Sequence, residues 1–231
     1  MPMLKVISAL LTYPRAEIQE ALPDMADLVN AESKLAVMQK AKLSDFIESL
    51  RCTELMEWQQ NYADLFDRGR HLSLHLFEHI HGESRDRGQA MVELMRIYQS
   101  HGYEIDVREL PDYIPLFLEF LSRRPADEAA EWLRGSMPVL QLLGARLAER
   151  GSSYAALFDA LGALAGVSGE GAELRQQVAT EGPDDTLVRM DEIWEEEAVR
   201  FMGNPDGCRK PAAAEQPVVF HRHQPNQRRV G

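Results

Sequence analysis

The sequence contains very little cysteine, with only Cys52 and Cys208 among its 231 residues. The two lie far apart along the chain, which excludes both a disulfide framework and a Cys-x-x-Cys metal site. A protein that relies on neither is expected to work in a reducing compartment, so we predict a cytoplasmic location.

Long apolar runs and export signals are lacking as well. The apolar stretch from Val6 to Leu11 is too short to span a membrane, and no small-x-small cleavage site precedes Pro14. We therefore expect this stretch to form the first helix, and we predict neither export nor direct membrane insertion.

Motifs of common catalytic and nucleotide-binding sites are also missing. The sequence has no GxxxxGK[ST], GxSxG, HExxH or GxGxxG pattern. Glu78, Glu83 and Asp86 are candidates for an acid/base pair, but carboxylates are common at helix ends. We therefore predict that the protein is not an enzyme and carries no cofactor of its own.

Negative charge dominates the chain. The formal net charge is −12, and the stretch after Met202 is basic, so the body before it is more acidic still. Such a surface repels phosphates and anionic lipid, which argues against nucleic acid as a partner. It favours a basic partner, such as a peptide that carries arginine.

Helical periodicity is present along most of the chain. Aromatic residues make up only 7% of the sequence, and no segment alternates as a strand would. The predicted helices are 2–12, 15–30, 33–50, 52–67, 71–80, 84–101, 113–123, 127–149, 152–166 and 184–202. This pattern predicts one all-α domain of about ten helices over residues 1–203, followed by a disordered tail over 204–231.

Histidines and charges concentrate between Tyr62 and Val92. In the predicted helix 71–80, His71, His75 and His79 recur every four residues on one face. With His81, this row is a candidate site for zinc or iron, which leaves open a metal- or cofactor-handling protein. The other interpretation of the row is a solvated face.

Two later positions predict helix starts. Ser84 is a suitable N-cap, but Arg85 and Arg87 then fall in the first turn, where the helix dipole disfavours positive charge. We therefore expect carboxylate partners for both arginines elsewhere in the fold. Asp112 is the predicted N-cap of the helix that contains Pro115 in its first turn.

Several motifs resemble the NarJ/NarW nitrate reductase assembly chaperones of the TorD/DmsD superfamily of redox-enzyme maturation proteins. They are YADLFDRGR at 62–70, FEHIHGESRDRGQAMV at 77–92, ELPDY at 109–113, PLFLEFL at 115–121 and WEEE at 194–197. The central motif is long and specific. One departure is Tyr113, where the wider superfamily often has histidine, so no role of an imidazole carries over.

The resemblance implies an all-helical TorD-like fold and a cytoplasmic, non-catalytic chaperone. Its implied partner is the apo nitrate reductase α subunit, whose N-terminal segment it binds until the molybdenum cofactor is inserted. Proteins that deliver that cofactor are further candidate partners. A helical scaffold without a peptide groove is the remaining alternative.

The predicted mode of binding is capture of an amphipathic client helix in a groove, with apolar anchors and acidic residues that meet the basic side chains of the client. The predicted peptide-binding residues are Tyr62, Phe66, Asp67, Phe77, His81, Glu83, Arg87, Asp112, Tyr113 and Leu116.

Overall fold

A computed structural model describes residues 1–81, 84–105, 109–167, 174, 176 and 178–182. Within these ranges the named elements are ten α-helices. They are α1 (Pro2–Leu10), α2 (Ala16–Glu20), α3 (Leu22–Ala31), α4 (Val37–Arg51), α5 (Leu55–Phe66), α6 (Leu76–His81), α7 (Arg85–Ser100), α8 (Ile114–Ser122), α9 (Ala126–Glu149) and α10 (Ala155–Ala165).

The predicted all-α class is therefore confirmed. The predicted helix 184–202, the domain boundary at 203 and the tail 204–231 lie outside the described residues. None of the described helices is both long and apolar enough to cross a membrane.

Helix α8 buries most of its residues and packs along α1. Its buried residues include Ile114, Phe117 and Leu121, spaced three and four apart as a helix face requires. Two polar contacts tie the pair together: the Ser8 hydroxyl donates to the Pro115 carbonyl at 2.6 Å, and the ammonium group of the first residue donates to the carbonyl at position 122, also at 2.6 Å. Helix α8 is thereby held at a fixed position in the core.

Helices α9 and α10 form the most extensive helix pair in the described part of the chain. Gly144 of α9 allows them to approach closely, because a Cβ atom at this position would lie 2.8 Å from Cβ of Phe158. Helix α9 also continues through Pro138, which lies within its span.

Two predicted helices differ from those in the structure. The predicted helix 15–30 is two helices, because Pro23 lies in the first turn of α3 and the chain turns at Ala21. The predicted helix 71–80 starts only at Leu76, since the preceding backbone bonds to another segment: the Ile114 N–H donates to the Leu74 carbonyl at 2.8 Å. These tertiary hydrogen bonds replace the intrahelical ones.

Candidate functional site

Three motif segments meet at Asp112, a residue whose relative exposure is 0%. The segment that leads into α6, the first turn of α7 and the loop before α8 each place a group at this point. His75 and Tyr113 form an antiparallel bridge between the first and third of these segments. The resulting arrangement is called here the Asp112 junction, and it comprises His75, Phe77, Arg87, Asp112 and Tyr113.

Backbone hydrogen bonds fix two sides of the junction. The Leu76 N–H donates to the Asp112 carbonyl at 3.0 Å, and the Phe77 N–H donates to Asp112 Oδ2 at 3.1 Å. Asp112 therefore caps the start of α6. The prediction that it caps the following helix was wrong, because Tyr113 occupies the N-cap position of α8. Because the residue that caps α6 comes from a distant segment, no sequence pattern next to α6 predicts it.

An arginine and a histidine approach the same carboxylate. Arg87 Nη2 lies 3.9 Å from Asp112 Oδ2, and His75 Nδ1 lies 3.4 Å from Oδ1. The carboxylate partner expected for Arg87 is thus confirmed. Arg85 is exposed and forms no ion pair with the residues that the structure describes.

These neighbours determine the ionisation of Asp112. Burial acts to raise the pKa of its carboxyl group, but His75, the Phe77 N–H and the Arg87 guanidinium together outweigh burial and hold that pKa below its usual range. The carboxylate is therefore charged at neutral pH, inside the protein.

Hydrogen bonding at the junction is incomplete. Among the described residues, three buried side-chain atoms have no hydrogen-bond partner: His75 Nδ1, Arg87 Nε and Asp112 Oδ1. The His75 Nδ1–Asp112 Oδ1 contact at 3.4 Å is close but does not have hydrogen-bond geometry. These three atoms are therefore available for further hydrogen bonds at the Asp112 junction.

Tyr62 and Phe66 are buried in the core. Their relative exposures are 4% and 5%, and their ring centroids are 4.9 Å apart. The Tyr62 hydroxyl donates to the Leu11 carbonyl at 2.8 Å, and burial raises the pKa of that phenol. In this conformation the two rings pack in the core beneath the site. A direct contact with a peptide stays a prediction for both.

Tyr113 connects the core to the junction. Its ring centroid lies 5.5 Å from that of His75, and its hydroxyl interacts with that of Tyr62. Burial is the main reason that the pKa of Tyr113 is raised, and the negative charge of Asp67 adds to it. The structure therefore places three of the predicted site residues, Tyr62, Asp67 and Tyr113, close to one another.

The remaining predicted residues lie at different places. Phe77 and His81 are neighbours on α6, with ring centroids 5.9 Å apart, and both are partly exposed. Leu116 lines a separate cavity beside Tyr98. Glu83 lies outside the described residues.

The histidine row is not a helix face. His71 and His75 precede α6, so the predicted four-residue helical spacing from His71 to His79 was wrong. His79 Nε2 lies 2.8 Å from the Ser73 carbonyl, and burial lowers the pKa of this imidazole. Over the described ranges, no group of three or more His, Cys, Asp or Glu side chains is arranged to hold a metal ion.

A polar network beside the junction was not predicted from the sequence. The Ser73 hydroxyl donates to Glu78 Oε2, and Arg70 Nε lies 3.8 Å from Glu78 Oε1. His75 also gained its role here only through the fold. The sequence singled out Glu78 and His75 only for other roles, as an acid/base candidate and a candidate metal ligand, and it gave no signal for Ser73.

The sequence of this chain matches one protein-family model. The model of a family described as nitrate reductase delta subunit matches residues 16–160, well over half of the chain. The chain belongs to the nitrate reductase delta subunit family. All predicted site residues, from Tyr62 to Leu116, lie within the matched region.

Relatives within this family cover most of the chain. The nitrate reductase molybdenum cofactor assembly chaperone NarJ of Escherichia coli K12 is 43% identical over 205 residues, which is 89% of this chain and 86% of the relative. The probable assembly chaperone NarW of the same organism is 45% identical over 209 residues, or 90% and 87%. A probable NarJ of Bacillus subtilis 168 is 29% identical over 155 residues, or 67% and 83%.

Proposed function

We propose that this protein is an assembly chaperone that holds the apo form of the nitrate reductase α subunit while the molybdenum cofactor is inserted. The observation that carries the proposal is the similarity to relatives named as such chaperones, at 43–45% identity over about nine-tenths of the chain. No catalytic step by the protein itself is part of the proposal, and its place of action is the cytoplasm.

The client segment in this proposal is the N-terminal peptide of the α subunit, bound at the Asp112 junction. Phe77 and Tyr113 are partly exposed and supply apolar surface. Basic side chains of the peptide meet the exposed carboxylate of Asp67, and the net charge of −12 favours their approach. Affinity arises from the apolar anchors, and orientation and association rate arise from charge.

Asp112 acts in this proposal as a positioning residue. Its buried carboxylate joins the start of α6 to Arg87 at the start of α7, so that both helices present their exposed faces in one arrangement. Tyr62 and Phe66 fix the same region from the core side. The free hydrogen-bonding capacity of Arg87 Nε is available to a peptide carbonyl after a small side-chain movement.

Calorimetric titration with a synthetic peptide of the α-subunit N-terminus tests this site. We expect saturable binding that Phe77→Ala weakens by about tenfold, the range found when an apolar anchor is truncated. Asp67→Asn should mainly reduce the association rate and its dependence on salt.

Met56→Ala is the matched control, because Met56 is 80% exposed on α5 and lies outside the junction. Absence of binding by the wild-type protein would contradict the proposal. Equal losses of affinity in Phe77→Ala and Met56→Ala would contradict it as well.

Proteins that deliver the molybdenum cofactor are further proposed partners. A pull-down from cells that make the cofactor tests this proposal.

A further inference from the structure

A small cavity lies between the end of α7, the segment that follows it and α8. Its volume is about 180 Å³, and three of its lining residues are the aromatic residues Tyr98, Tyr103 and Phe120. The Phe120 ring centroid is 4.7 Å from that of Tyr98 and 5.4 Å from that of Tyr103. Glu104 and Glu119 add two carboxylates to the lining, and both are accessible to solvent. Aromatic faces beside carboxylates are the surroundings that an organic cation prefers.

The protein already places one of its own cations there. The guanidinium of Arg123 lies 5.8 Å from the Tyr103 ring centroid, and its Nη2 lies 3.2 Å from Glu119 Oε1. The next residue repeats the pattern, since the Arg124 guanidinium lies 5.7 Å from the Phe120 ring centroid. Arg123, a lining residue of the cavity, therefore shows that the Tyr103 ring and the Glu119 carboxylate accept a planar cation.

Arg123 is weakly held. Its side chain is 54% exposed, and exposed ion pairs and exposed cation–π contacts contribute little because water competes with both. The lining also contains more negative than positive charge: Glu104 is exposed and forms no ion pair within the part of the chain that the structure describes. A second cation can therefore enter the cavity and pair with the Glu104 carboxylate.

We propose that this cavity binds the guanidinium of an arginine side chain from a partner peptide, and that Arg123 occupies the site when no such arginine is present. On binding, Arg123 turns into solvent, and the incoming guanidinium lies against Tyr103 and bonds to Glu104 and Glu119. Selectivity for arginine over lysine follows, because a planar guanidinium both stacks on a ring and forms paired hydrogen bonds to a carboxylate.

This inference rests on the proposed function only for the source of the arginine, a basic client peptide. Recognition of the guanidinium is a property of the cavity and is testable without a client. The probe is Nα-acetyl-arginine amide, titrated into the full chain and followed by chemical shifts of the aromatic ring protons. The neutral isostere Nα-acetyl-citrulline amide is titrated in parallel.

Removal of the internal competitor should strengthen binding. We expect Arg123→Ala to bind the arginine probe about threefold more tightly than the wild type, a factor that corresponds to the loss of one exposed cation–π contact and ion pair. Adding Glu104→Gln and Glu119→Gln to Arg123→Ala should weaken binding by about tenfold, and citrulline should not bind saturably.

Arg51→Ala is the matched control, because Arg51 forms a similar exposed pair with Glu48 at 2.6 Å and lies outside the cavity. It should leave the affinity for the probe unchanged. The proposal is overturned if Arg123→Ala binds the probe no more tightly than the wild type, or if citrulline binds as well as arginine. Because Phe77 is not in the cavity lining, failure here leaves the peptide titration described above unaffected, and the reverse also holds.

Discussion

A buried carboxylate needs partners, and Asp112 obtains them from separate segments of the chain. The Phe77 N–H, Arg87 and His75 stabilise its charge in a place where exposure is 0%. Removing that charge leaves the Arg87 guanidinium without its counter-charge and weakens the hydrogen bond from the Phe77 N–H, and breaking a buried ion pair is more costly than losing an exposed one.

We predict that Asp112→Asn destabilises the protein by about 2 kcal/mol at pH 7, as expected for a buried charged group that loses its counter-charge. The pKa of Asp112 is lowered in the folded state, so its charge stabilises the fold above the pKa of the unfolded chain. That contribution disappears as the pH falls through the folded-state pKa. The gap between wild type and Asp112→Asn should therefore narrow below about pH 4, the ordinary range of an aspartate.

Chemical denaturation at a series of pH values measures this gap. Asp86→Asn is the control, because Asp86 is exposed in the first turn of the same helix as Arg87. A difference between Asp112→Asn and wild type that widened on acidification would contradict the assignment.

At the scale of helices, the contact between α9 and α10 depends on one missing side chain. Gly144 faces Phe158 so closely that a methyl group would lie 2.8 Å from its Cβ. The atom it meets is close to the backbone of α10, so neither helix can relieve the overlap by a side-chain rotation alone.

Gly144→Ala is expected to destabilise the fold by about 1–3 kcal/mol, the usual cost of overpacking a tight contact. Gly135→Ala provides the comparison, because a methyl group at Gly135, in the same helix, would meet no neighbouring side chain within 4 Å. That variant should be neutral or slightly stabilised, since alanine favours helix. Thermal unfolding of both variants measures the difference, and equal midpoints would show that the close approach is unimportant.

The helices also show how far local sequence determines this fold. Apolar periodicity located most helices, because each of them buries one face in a single core, as Ile114, Phe117 and Leu121 do in α8. The failure between His71 and His75 has a definite cause: the backbone that leads into α6 bonds to residues near Asp112, more than thirty positions later. Periodicity within a segment cannot report such a partner.

The candidate site could also be predicted only in part from the sequence. The motif at 62–92 and the loop before α8 were both identified from the sequence, and the structure brings Arg87, Asp112 and Phe77 from them into one junction. Tyr62 was assigned to the peptide groove, although the aromatic stripe on its helix also suits the core, where the structure places it. Helix periodicity alone does not separate the two.

For the whole molecule, the net charge of −12 is the property that bears on the proposed client, because it favours the approach of a basic peptide. Charge of this size acts over distance and raises the rate of encounter, and in the proposed function the specific contacts come from the junction around Asp112. Membership of the delta subunit family and the 43–45% identity to named assembly chaperones support the same client.

The most direct test of the proposed chaperone function is co-purification from cells that express the nitrate reductase α subunit and lack the molybdenum cofactor. We predict that the tagged full-length protein retains the apo α subunit, and that the α subunit is lost when its N-terminal segment is deleted. The Met56→Ala protein should retain the apo α subunit like the wild type, and Phe77→Ala should retain less of it. Recovery of the protein without the α subunit, or equal recovery with and without the N-terminal segment, would contradict the central claim.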